Sequence, residues 1–438
     1  MTRSQKIVTF IFLGLPCFCC LGGLGYIQYQ INGVASGLDE ELAKAKAMGV
    51  PTVSADLKRQ VPDNQNGAKY YSQAMAMAGD GTSDKGRLDA VTKGLGVKAK
   101  PEDRAEAARA YAQLGPFIAI IEKAADMPHC DFRKDWDQGF NLLFPEFAQM
   151  KAYTKLLGYK AEQQSKSGDW RGALKTVVRM QSISRHAGED PILIGLLVQI
   201  ANEAITHASF RNVISKHRSN AAFLHEGNRI ARSFGPVPDF RHALEGEMVM
   251  SRTAIYQIKS LSEISAMSSG GASESDPFTK IAFSSKSLKT AFDRKLVEAY
   301  NELFTKMPKD SADWQAIHKA SIEHEQWLEK DRSLMNTMNQ ILFPVFSQAS
   351  MAVGRTEAQR NLTITTIDLF QQKIRIGHFP KSPSGPNAID PFSDKPLGYK
   401  PGASGFLLYS VDQDKVDNGG KRETGSEQRD LIVDMRLP

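Results

Sequence analysis

An uncharged apolar segment near the N-terminus limits every other interpretation of this chain. No charged side chain occurs in residues 7–27, which read IVTFIFLGLPCFCCLGGLGYI. As an α-helix of about 1.5 Å rise per residue, this segment would cross a hydrocarbon core of about 30 Å. Arg3 and Lys6 precede it, and the next charged residues, Asp39 and Glu40, are acidic. The positive-inside bias therefore predicts a single membrane anchor with a cytoplasmic N-terminus and an extracytoplasmic body.

Two alternatives to a retained anchor stay open on the sequence. A cleaved signal peptide has a shorter apolar region and a cleavage site of small residues, for which Gly22, Gly23 and Gly25 are weak candidates. A lipoprotein needs a small residue before its acylated cysteine, whereas Pro16 precedes Cys17 here. Each alternative would also leave the rest of the chain outside the cytoplasm.

The composition favours a packed protein and argues against a nucleic-acid binder. Of 438 residues, 41% are hydrophobic and 24% are charged, which supplies enough apolar surface for a core and suggests two or three domains. Lys and Arg total 55 against 49 Asp and Glu, and the net charge of +6 forms no basic stripe. We therefore expect the membrane and other envelope proteins as partners, and no nucleic acid.

The cysteines argue against disulfide bonds in the body of the protein. Cys17, Cys19 and Cys20 lie in the apolar segment, and Cys130 is alone outside it. An internal disulfide therefore cannot form in the predicted extracytoplasmic part. Cys130 follows His129, a pairing that a nucleophile or a metal site would use. A small buried core residue is nevertheless the preferred interpretation of Cys130.

Hydrophobic periodicity predicts a mainly α-helical body. Residues 144–166 and 170–187 are expected to form a helical hairpin, and 191–214 a central buried helix. Beyond residue 380 the composition becomes rich in Pro, Gly and Asp, which indicates a small C-terminal α+β module. The apolar face of the second hairpin helix is predicted to consist of Ala173, Leu174, Val177, Val178 and Ile183. Short β-type runs in the C-terminal module are predicted at 397–400, 406–411 and 431–433.

These patterns divide the chain into five parts. Low-complexity Ser- and Gly-rich sequence separates two helical stretches, and the shift in composition marks the last part. The predicted parts are a cytoplasmic tip and transmembrane anchor at 1–35, a helical domain at 36–261, a flexible connection at 262–276, a helical continuation at 277–344, and a long helix with a small β module at 345–438.

Sequence motifs give few candidates for catalysis. The chain contains no P-loop, no dinucleotide-binding glycine motif and no G-x-S-x-G elbow. His242 and Glu245 share one face of a predicted helix, with Glu247 close by, and such a pair is able to transfer protons. A solvated or structural charge pair is the preferred interpretation of these side chains, so we assign no catalytic residue.

The most specific pattern in the chain is DPFSDKPLGYKPGASGFLLYSVDQDKVDNGG at residues 390–420. It follows a predicted helix that ends in Gly-His-Phe-Pro, and it resembles the C-terminal part of the major pseudopilin of type II secretion systems. The resemblance covers residues 345–438 and implies a long helix packed on a small sheet. The matching residues are Asp390, Pro391, Phe392, Pro396, Tyr399, Gly405, Tyr409, Ser410, Asp414, Gly419 and Gly420.

The same resemblance implies a calcium site in the C-terminal loop, because calcium prefers several hard oxygen ligands and the loop of that family binds it. Asp414 matches the family's loop aspartate, Asp412 and Asp417 are further acids nearby, and Asp430 matches a late aspartate. Asp412 and Lys415 stand where the family has glycines. The alternative, an Asp- and Gly-rich turn that only ends a small sheet, therefore stays open.

As a whole, the chain resembles single-span envelope proteins of planctomycete-type bacteria. Such proteins combine an N-terminal anchor, an early helix with an N-A-A-x-x-Y-like start (here Asn66 to Tyr71), a helical middle and this C-terminal pattern. The resemblance implies no activity. We therefore expect a membrane-anchored, non-catalytic interaction or scaffold protein of the cell envelope. The alternatives are a component of a type II secretion or pilus-like assembly, and an enzyme with an unrecognised site in the helical domain.

Overall fold

The computed structural model describes Tyr26 and residues 28–95, 99–235, 238–259, 285–309, 313–336, 339–340, 343–421 and 430–436. Apart from Tyr26, the predicted anchor at residues 7–27 lies outside these ranges. The predicted flexible connection at 262–276 also lies outside them. The described residues form a mainly helical fold that ends in a small antiparallel sheet. This architecture confirms the predicted mainly α class with a small β element at the C-terminus.

The elements are numbered here in chain order. The first helices are α1 (Leu38–Ala47), α2 (Ala68–Met77), α3 (Ser83–Gly94), α4 (Pro101–Ala112), α5 (Gly115–Ala125), α6 (Pro145–Lys166) and α7 (Trp170–Ala187). They are followed by α8 (Leu193–His217), α9 (Ala221–Ser233), α10 (Phe240–Gln257), α11 (Lys286–Lys306), α12 (Trp314–Leu328) and α13 (Pro344–Ile376). The strands are β1 (Gly398–Pro401), β2 (Phe406–Ser410) and β3 (Leu431–Asp434).

Many of these helices begin at a side chain that accepts a hydrogen bond from the first turn. Such caps stabilise a helix because its first N–H groups have no partner inside the helix. In the predicted hairpin of α6 and α7, Asp169 Oδ1 accepts from Gly172 N at 2.9 Å and fixes the start of the second helix. Side-chain caps are Thr82 for α3, Asp169 for α7, Asn220 for α9, Asp239 for α10, Ser285 for α11 and Asp313 for α12.

The described apolar side chains form two cores. The N-terminal core lies mainly among α2 to α7, and the C-terminal core lies among α7 to α13, α1 and the sheet. Helix α7 contributes to both, with Ala173 and Val177 in the C-terminal core and Met180 and Ile183 in the N-terminal core. The hairpin therefore joins the two halves of the helical body through one continuous helix.

Helix α8 is the predicted central helix. By length and composition it is the one helix of the described residues that is apolar enough to cross a membrane, with a mean hydropathy of 1.2. Its surroundings are those of a core helix, because it packs against α6, α7 and α13. Asn202, Glu203 and His207 are buried within it. The position of α8 in the core therefore accounts for its apolar composition without a membrane.

The early helix motif ties α2 to a distant loop. Asn66 Nδ2 donates to the carbonyl oxygen of Asp131 at 2.8 Å, and Asn66 Oδ1 accepts from Asp131 N at 2.9 Å. Tyr71 contacts His186 Nδ1 through its hydroxyl at 3.0 Å, and His186 Nε2 contacts the Met127 carbonyl at 3.0 Å. Burial lowers the pKa of His186 to about 3, so its ring is neutral at physiological pH. The motif therefore has a structural role.

The C-terminal sheet packs on the long helix α13. Its strands are antiparallel in the order β1-β2-β3, with Gly398 opposite Tyr409 and Leu408 opposite Val433. Phe406 of β2 contacts Phe370 of α13 with ring centroids 5.3 Å apart. These strands lie close to the three predicted β-type runs.

Asp390 holds this module together. Its side chain is 1% exposed, and Oδ1 accepts from Phe392 N at 3.0 Å and from Ser410 Oγ at 2.9 Å. Oδ2 accepts from Val411 N at 2.8 Å. One buried carboxylate therefore pairs the loop after α13 with the end of β2, which explains the Asp-Pro-Phe part of the sequence pattern.

We predict that Asp390→Asn destabilises the protein by about 2–3 kcal/mol, because the new amide group places a donor against a buried donor. The free energy of unfolding is measured in urea, and unfolding is monitored by a spectroscopic signal from the C-terminal core. The matched control is Asp394→Asn, an exposed aspartate four residues on whose left-handed backbone (φ +57°) asparagine tolerates. Equal stability of the two variants would contradict the assigned role of Asp390.

Candidate functional site

The first two acids of the predicted calcium site lie where β2 ends. Asp412 is buried, and its Oδ2 pairs with Arg355 Nη2 of α13 at 2.9 Å, while Oδ1 has no hydrogen-bond partner among the described residues. Burial raises the pKa of Asp412 to about 6, against the lowering effect of Arg355. Asp414 is directed at its own turn, with Oδ1 accepting from Val416 N at 3.0 Å.

The other two acids close the turn that follows. Asp417 Oδ1 accepts from Gly419 N at 2.8 Å and from the Tyr409 hydroxyl at 3.0 Å. Asp430 Oδ2 accepts from Gly420 N at 2.8 Å. Burial raises the pKa of Asp430, and the charges of Asp417 and Asp414 add to the increase. Asp417 and Asp414 are therefore close enough to Asp430 for their charges to act on it. Asp412 instead pairs with Arg355 of α13.

The four carboxylates have partners within the protein, because each one accepts a hydrogen bond or pairs with a cationic side chain. Their positions are therefore explained without a bound ion. An ion would have to compete with those backbone donors and with Lys400, whose Nζ donates to the Gly419 carbonyl at 2.7 Å. In the part of the chain that the structure describes, no three His, Cys, Asp or Glu side chains are grouped to hold a metal ion. The residues thus fit calcium only in part, and the calcium site stays a prediction.

Two residues of this loop that are not glycine have a left-handed backbone. Asp412 has φ of +58° and Lys415 has φ of +57°, both in the left-handed region. Glycine adopts this region freely, whereas other residues enter it at a cost of about 1–2 kcal/mol. Asp412 and Lys415 therefore adopt a backbone conformation for which glycine is suited. They are the two positions at which the resemblance predicted from the sequence has glycine.

The acid–base candidates of the helical domain serve to connect elements. His242 Nε2 lies 3.4 Å from the Glu189 carbonyl oxygen, and Glu245 pairs with Arg241 at 3.2 Å. Glu247 accepts from Leu193 N, the first residue of α8, at 3.1 Å. No direct hydrogen bond joins His242 to Glu245 or to Glu247 among the contacts of the described residues. Their geometry is that of structural pairs.

Cys130 lies in the N-terminal core. Its side chain is buried, and burial raises the pKa of the thiol well above its ordinary value, with the nearby Asp190 and Glu189 charges adding to the increase. A thiol in this state is a poor nucleophile, because the thiolate is the reactive form. The position thus agrees with the preferred interpretation of a core residue.

A concave site that the sequence did not indicate lies between α7, α8, residues 233–235 and residues 238–239. It is a cavity of about 430 Å³. Val178, predicted on the apolar face of α7, is instead 40% exposed and lines this cavity. The polar residues of the lining include Gln181, Arg185, Glu189, Gln199, Glu203 and Asp239.

Glu203 is the buried acid of this cavity. Its side chain is 4% exposed and its Oε1 accepts from Gln199 Nε2 at 3.0 Å. Burial raises the pKa of Glu203 to about 7, while hydrogen bonds from Gln199 and Gln181 and the charge of Arg360 oppose the increase. A carboxyl group in this state changes charge near neutral pH, so it is able to exchange a proton or to accept a cation there.

Arg360 of α13 donates hydrogen bonds to the backbone next to this cavity. Its Nη1 donates to the carbonyl of Gly235, which lines the cavity, at 3.1 Å, and its Nη2 donates to the carbonyl of Arg232 at 3.4 Å. Its Nε is buried and has no hydrogen-bond partner among the described residues, and the same holds for Gln181 Oε1 in the cavity lining. One atom of the cavity lining, Gln181 Oε1, therefore has unused hydrogen-bonding capacity.

Sequence reasoning missed this cavity, although one signal was present. Gln199, Asn202 and Glu203 interrupt an otherwise apolar helix, and polar residues are buried there at a cost unless a partner compensates. Gln199 is a partner on the same helix, but Gln181 of α7 and Arg360 of α13 are distant in sequence, so no local pattern links those two to Glu203.

We predict that Glu203→Gln flattens part of the pH dependence of stability. The folded-state pKa is raised above 4.5, so the contribution of protonated Glu203 is complete below that value and is lost as the pH rises through about 7. Between pH 5 and pH 8.5 the wild-type protein should therefore lose about 2–3 kcal/mol more unfolding free energy than the variant. Urea unfolding at both pH values measures the difference.

The control for this prediction is Glu226→Gln, which changes an exposed glutamate of α9 that pairs with Arg229. Its stability should follow the wild-type pH dependence closely. A variant of Glu203 whose pH dependence equals that of the wild type would show that this carboxyl is not held neutral by burial.

Comparison of the chain with known proteins does not add to this geometry. No protein-family model, no curated protein and no solved structure matches it. The resemblances to pseudopilins and to single-span envelope proteins therefore stay predictions from the sequence, and the cavity beside Glu203 and the C-terminal loop are the two candidate sites.

Proposed function

We propose that this chain is a membrane-anchored, non-catalytic interaction or scaffold protein of the cell envelope, with its helical body outside the cytoplasm. The apolar, uncharged segment at residues 7–27 and its flanking charges support the anchor and its orientation. The observation that carries the scaffold interpretation is that buried ionisable side chains of the body join separate elements.

The buried cluster around Lys134 illustrates this use of charge. Lys134 Nζ lies 2.6 Å from Glu146 of α6 and 2.5 Å from Asp190 in the connection before α8, and all three side chains are almost fully buried. Its ammonium group also lies 4.9 Å from the centre of the Phe132 ring. Removing one partner of such a cluster leaves a buried charge, so these contacts define one arrangement of the loop.

A second buried pair fixes the other half of the body. Asp293 of α11 is fully buried and accepts from Arg252 of α10 at 2.7 Å and 2.9 Å. The Tyr256 hydroxyl donates to the same carboxylate at 3.0 Å. A bidentate pair of this kind gives geometric specificity. A rigid body of fixed shape is what a scaffold needs for its partners.

We predict that a cysteine in the body reacts with a membrane-impermeant maleimide from outside the cytoplasm. The test residue is Lys319, whose side chain is 78% exposed, changed to Cys in the full chain. In spheroplasts of a bacterial host, Lys319→Cys should be labelled before lysis, and Thr2→Cys only after lysis. The parent chain, labelled in parallel, gives the background from the buried Cys130 and from Cys17, Cys19 and Cys20 of the apolar segment.

Labelling of Thr2→Cys before lysis, or protection of Lys319→Cys until lysis, would contradict the proposed orientation. Release of the intact chain from the membrane by alkaline carbonate would instead contradict the anchor.

A second candidate function is a component of a type II secretion or pilus-like assembly, in which the C-terminal module takes part in assembly. The observation that favours it is the left-handed backbone of Asp412 and Lys415, at the two positions where pseudopilins have glycine. The 33-residue helix α13, packed on an antiparallel sheet, is also consistent with it. Cross-linking in a host with an active secretion system, followed by identification of the cross-linked proteins, tests this candidate.

We predict that calcium stabilises the full chain if the module binds it as pseudopilins do. For a site of the affinity usual in extracellular modules, 5 mM calcium should add about 1–2 kcal/mol, seen as a higher Tm. The double variant Asp417→Asn with Asp430→Asn should lose the shift, and Asp394→Asn should keep it. An unchanged wild-type Tm in millimolar calcium, or an equal shift in magnesium, would contradict a calcium site.

A further inference from the structure

We propose that the cavity beside Glu203 binds a small organic cation through a primary ammonium group. The site lies in the helical body, apart from the predicted anchor and from the C-terminal loop. The inference therefore goes beyond the proposed function and does not depend on the orientation of the protein in a membrane.

The size of the cavity suits a small molecule. Its volume of about 430 Å³ lies within the range of about 300–1,000 Å³ that is usual for ligand sites. Its walls come from α7, from α8 and from residues 233–235 and 238–239, the last of which is the cap of α10. A site built from several packed elements is largely preformed, which lowers the entropic cost of binding.

Two side chains of the cavity lining offer oxygen acceptors. Glu203 presents a carboxyl group, and Gln181 Oε1 is buried without a hydrogen-bond partner among the described residues. An unsatisfied buried acceptor is costly unless a ligand or water donates to it. A primary ammonium group has three donors and no acceptor, so it complements both oxygens at once.

The charges around the cavity favour a cation over an anion. Glu189, Glu203 and Asp239 line it with carboxyl groups, and Arg185 is the cationic side chain that lines it. Arg360 lies behind Glu203 and is directed to the carbonyls of Gly235 and Arg232. Part of the Glu189 charge is neutralised by Arg59 at 2.6 Å, so Glu203 and Asp239 contribute most of the attraction.

The remaining wall explains why the cation should be organic. Val178, Phe234 and Pro238 line the cavity with apolar surface. A metal ion gains nothing from such a surface, whereas the methylene chain of an alkyl amine is removed from water there. The combination of buried acceptors and an apolar wall thus matches a chain of a few carbons that ends in an ammonium group.

Two sources can supply this chemistry, a free alkyl amine and a lysine side chain on a peptide. The experiment therefore uses 1,5-diaminopentane and n-pentylamine as free amines, and N-acetyl-lysine methylamide as the peptide-borne form. The neutral probe is 1-pentanol, which has similar carbon surface and no charge. Isothermal titration calorimetry with the full chain in a mild detergent measures each affinity at pH 8 and pH 6.

We expect saturable binding of at least one amine at pH 8 and at least tenfold weaker binding of 1-pentanol. Wild-type affinity should be about tenfold weaker at pH 6, because a carboxyl group with a pKa of about 7 is mostly protonated there. Glu203→Gln should weaken amine binding at least tenfold at pH 8 and should abolish its pH dependence. Glu226→Gln should behave as the wild type does. Whether the free amines or the lysine derivative binds more tightly identifies the source.

A second variant distinguishes a loss of binding from a loss of folding. Ser182→Phe fills the cavity from α7 and should abolish binding while the Tm stays within a few degrees of the wild-type value. The inference is overturned if no amine binds at pH 8, if 1-pentanol binds as tightly as the amines, or if Glu203→Gln binds them as tightly as the wild type at both pH values.

Discussion

The packing of α8 against α6, α7 and α13 is the constraint on which the rest of the structure depends. A helix of this length can be buried on several sides only if its neighbours compensate the polar groups that it carries. Thr363 of α13 does so for His207, with its Oγ1 3.1 Å from the imidazole Nδ1. At Glu203 the carboxyl group accepts a hydrogen bond from Gln199 of the same helix, and the fold leaves a cavity beside it instead of a closed contact.

Local rules were enough to anticipate most of the helices and the strands. Asp169 marks the start of α7 because a short acid side chain caps a helix, and the short β-type run from 406 to 411 indicates a strand. These signals act within a few residues, so they can be read from one sequence. The mainly helical body and the small C-terminal sheet followed from them.

The candidate cavity depends on contacts that no local rule describes. Glu203, Gln181 and Arg360 come from three helices, and Val178 lines the cavity although its neighbours Val177 and Met180 are fully buried. The acids of the C-terminal loop were recognisable as a group, but the pairing of Asp412 with Arg355 was not. Which carboxylates are already engaged depends on how the loop folds onto α13, and that is a property of tertiary packing.

Helix α13 gives the two candidate sites a shared support. Arg355 reaches Asp412 in the C-terminal loop, and Arg360 reaches the carbonyls beside the cavity. Five residues of one α-helix separate these arginines by about 7.5 Å along its axis. One continuous helix therefore fixes the distance between a side chain that pairs with the loop and a side chain that binds the cavity wall. The cavity residues come from the middle of the chain and the loop residues from near its C-terminus, so α13 relates two places that are distant in the sequence.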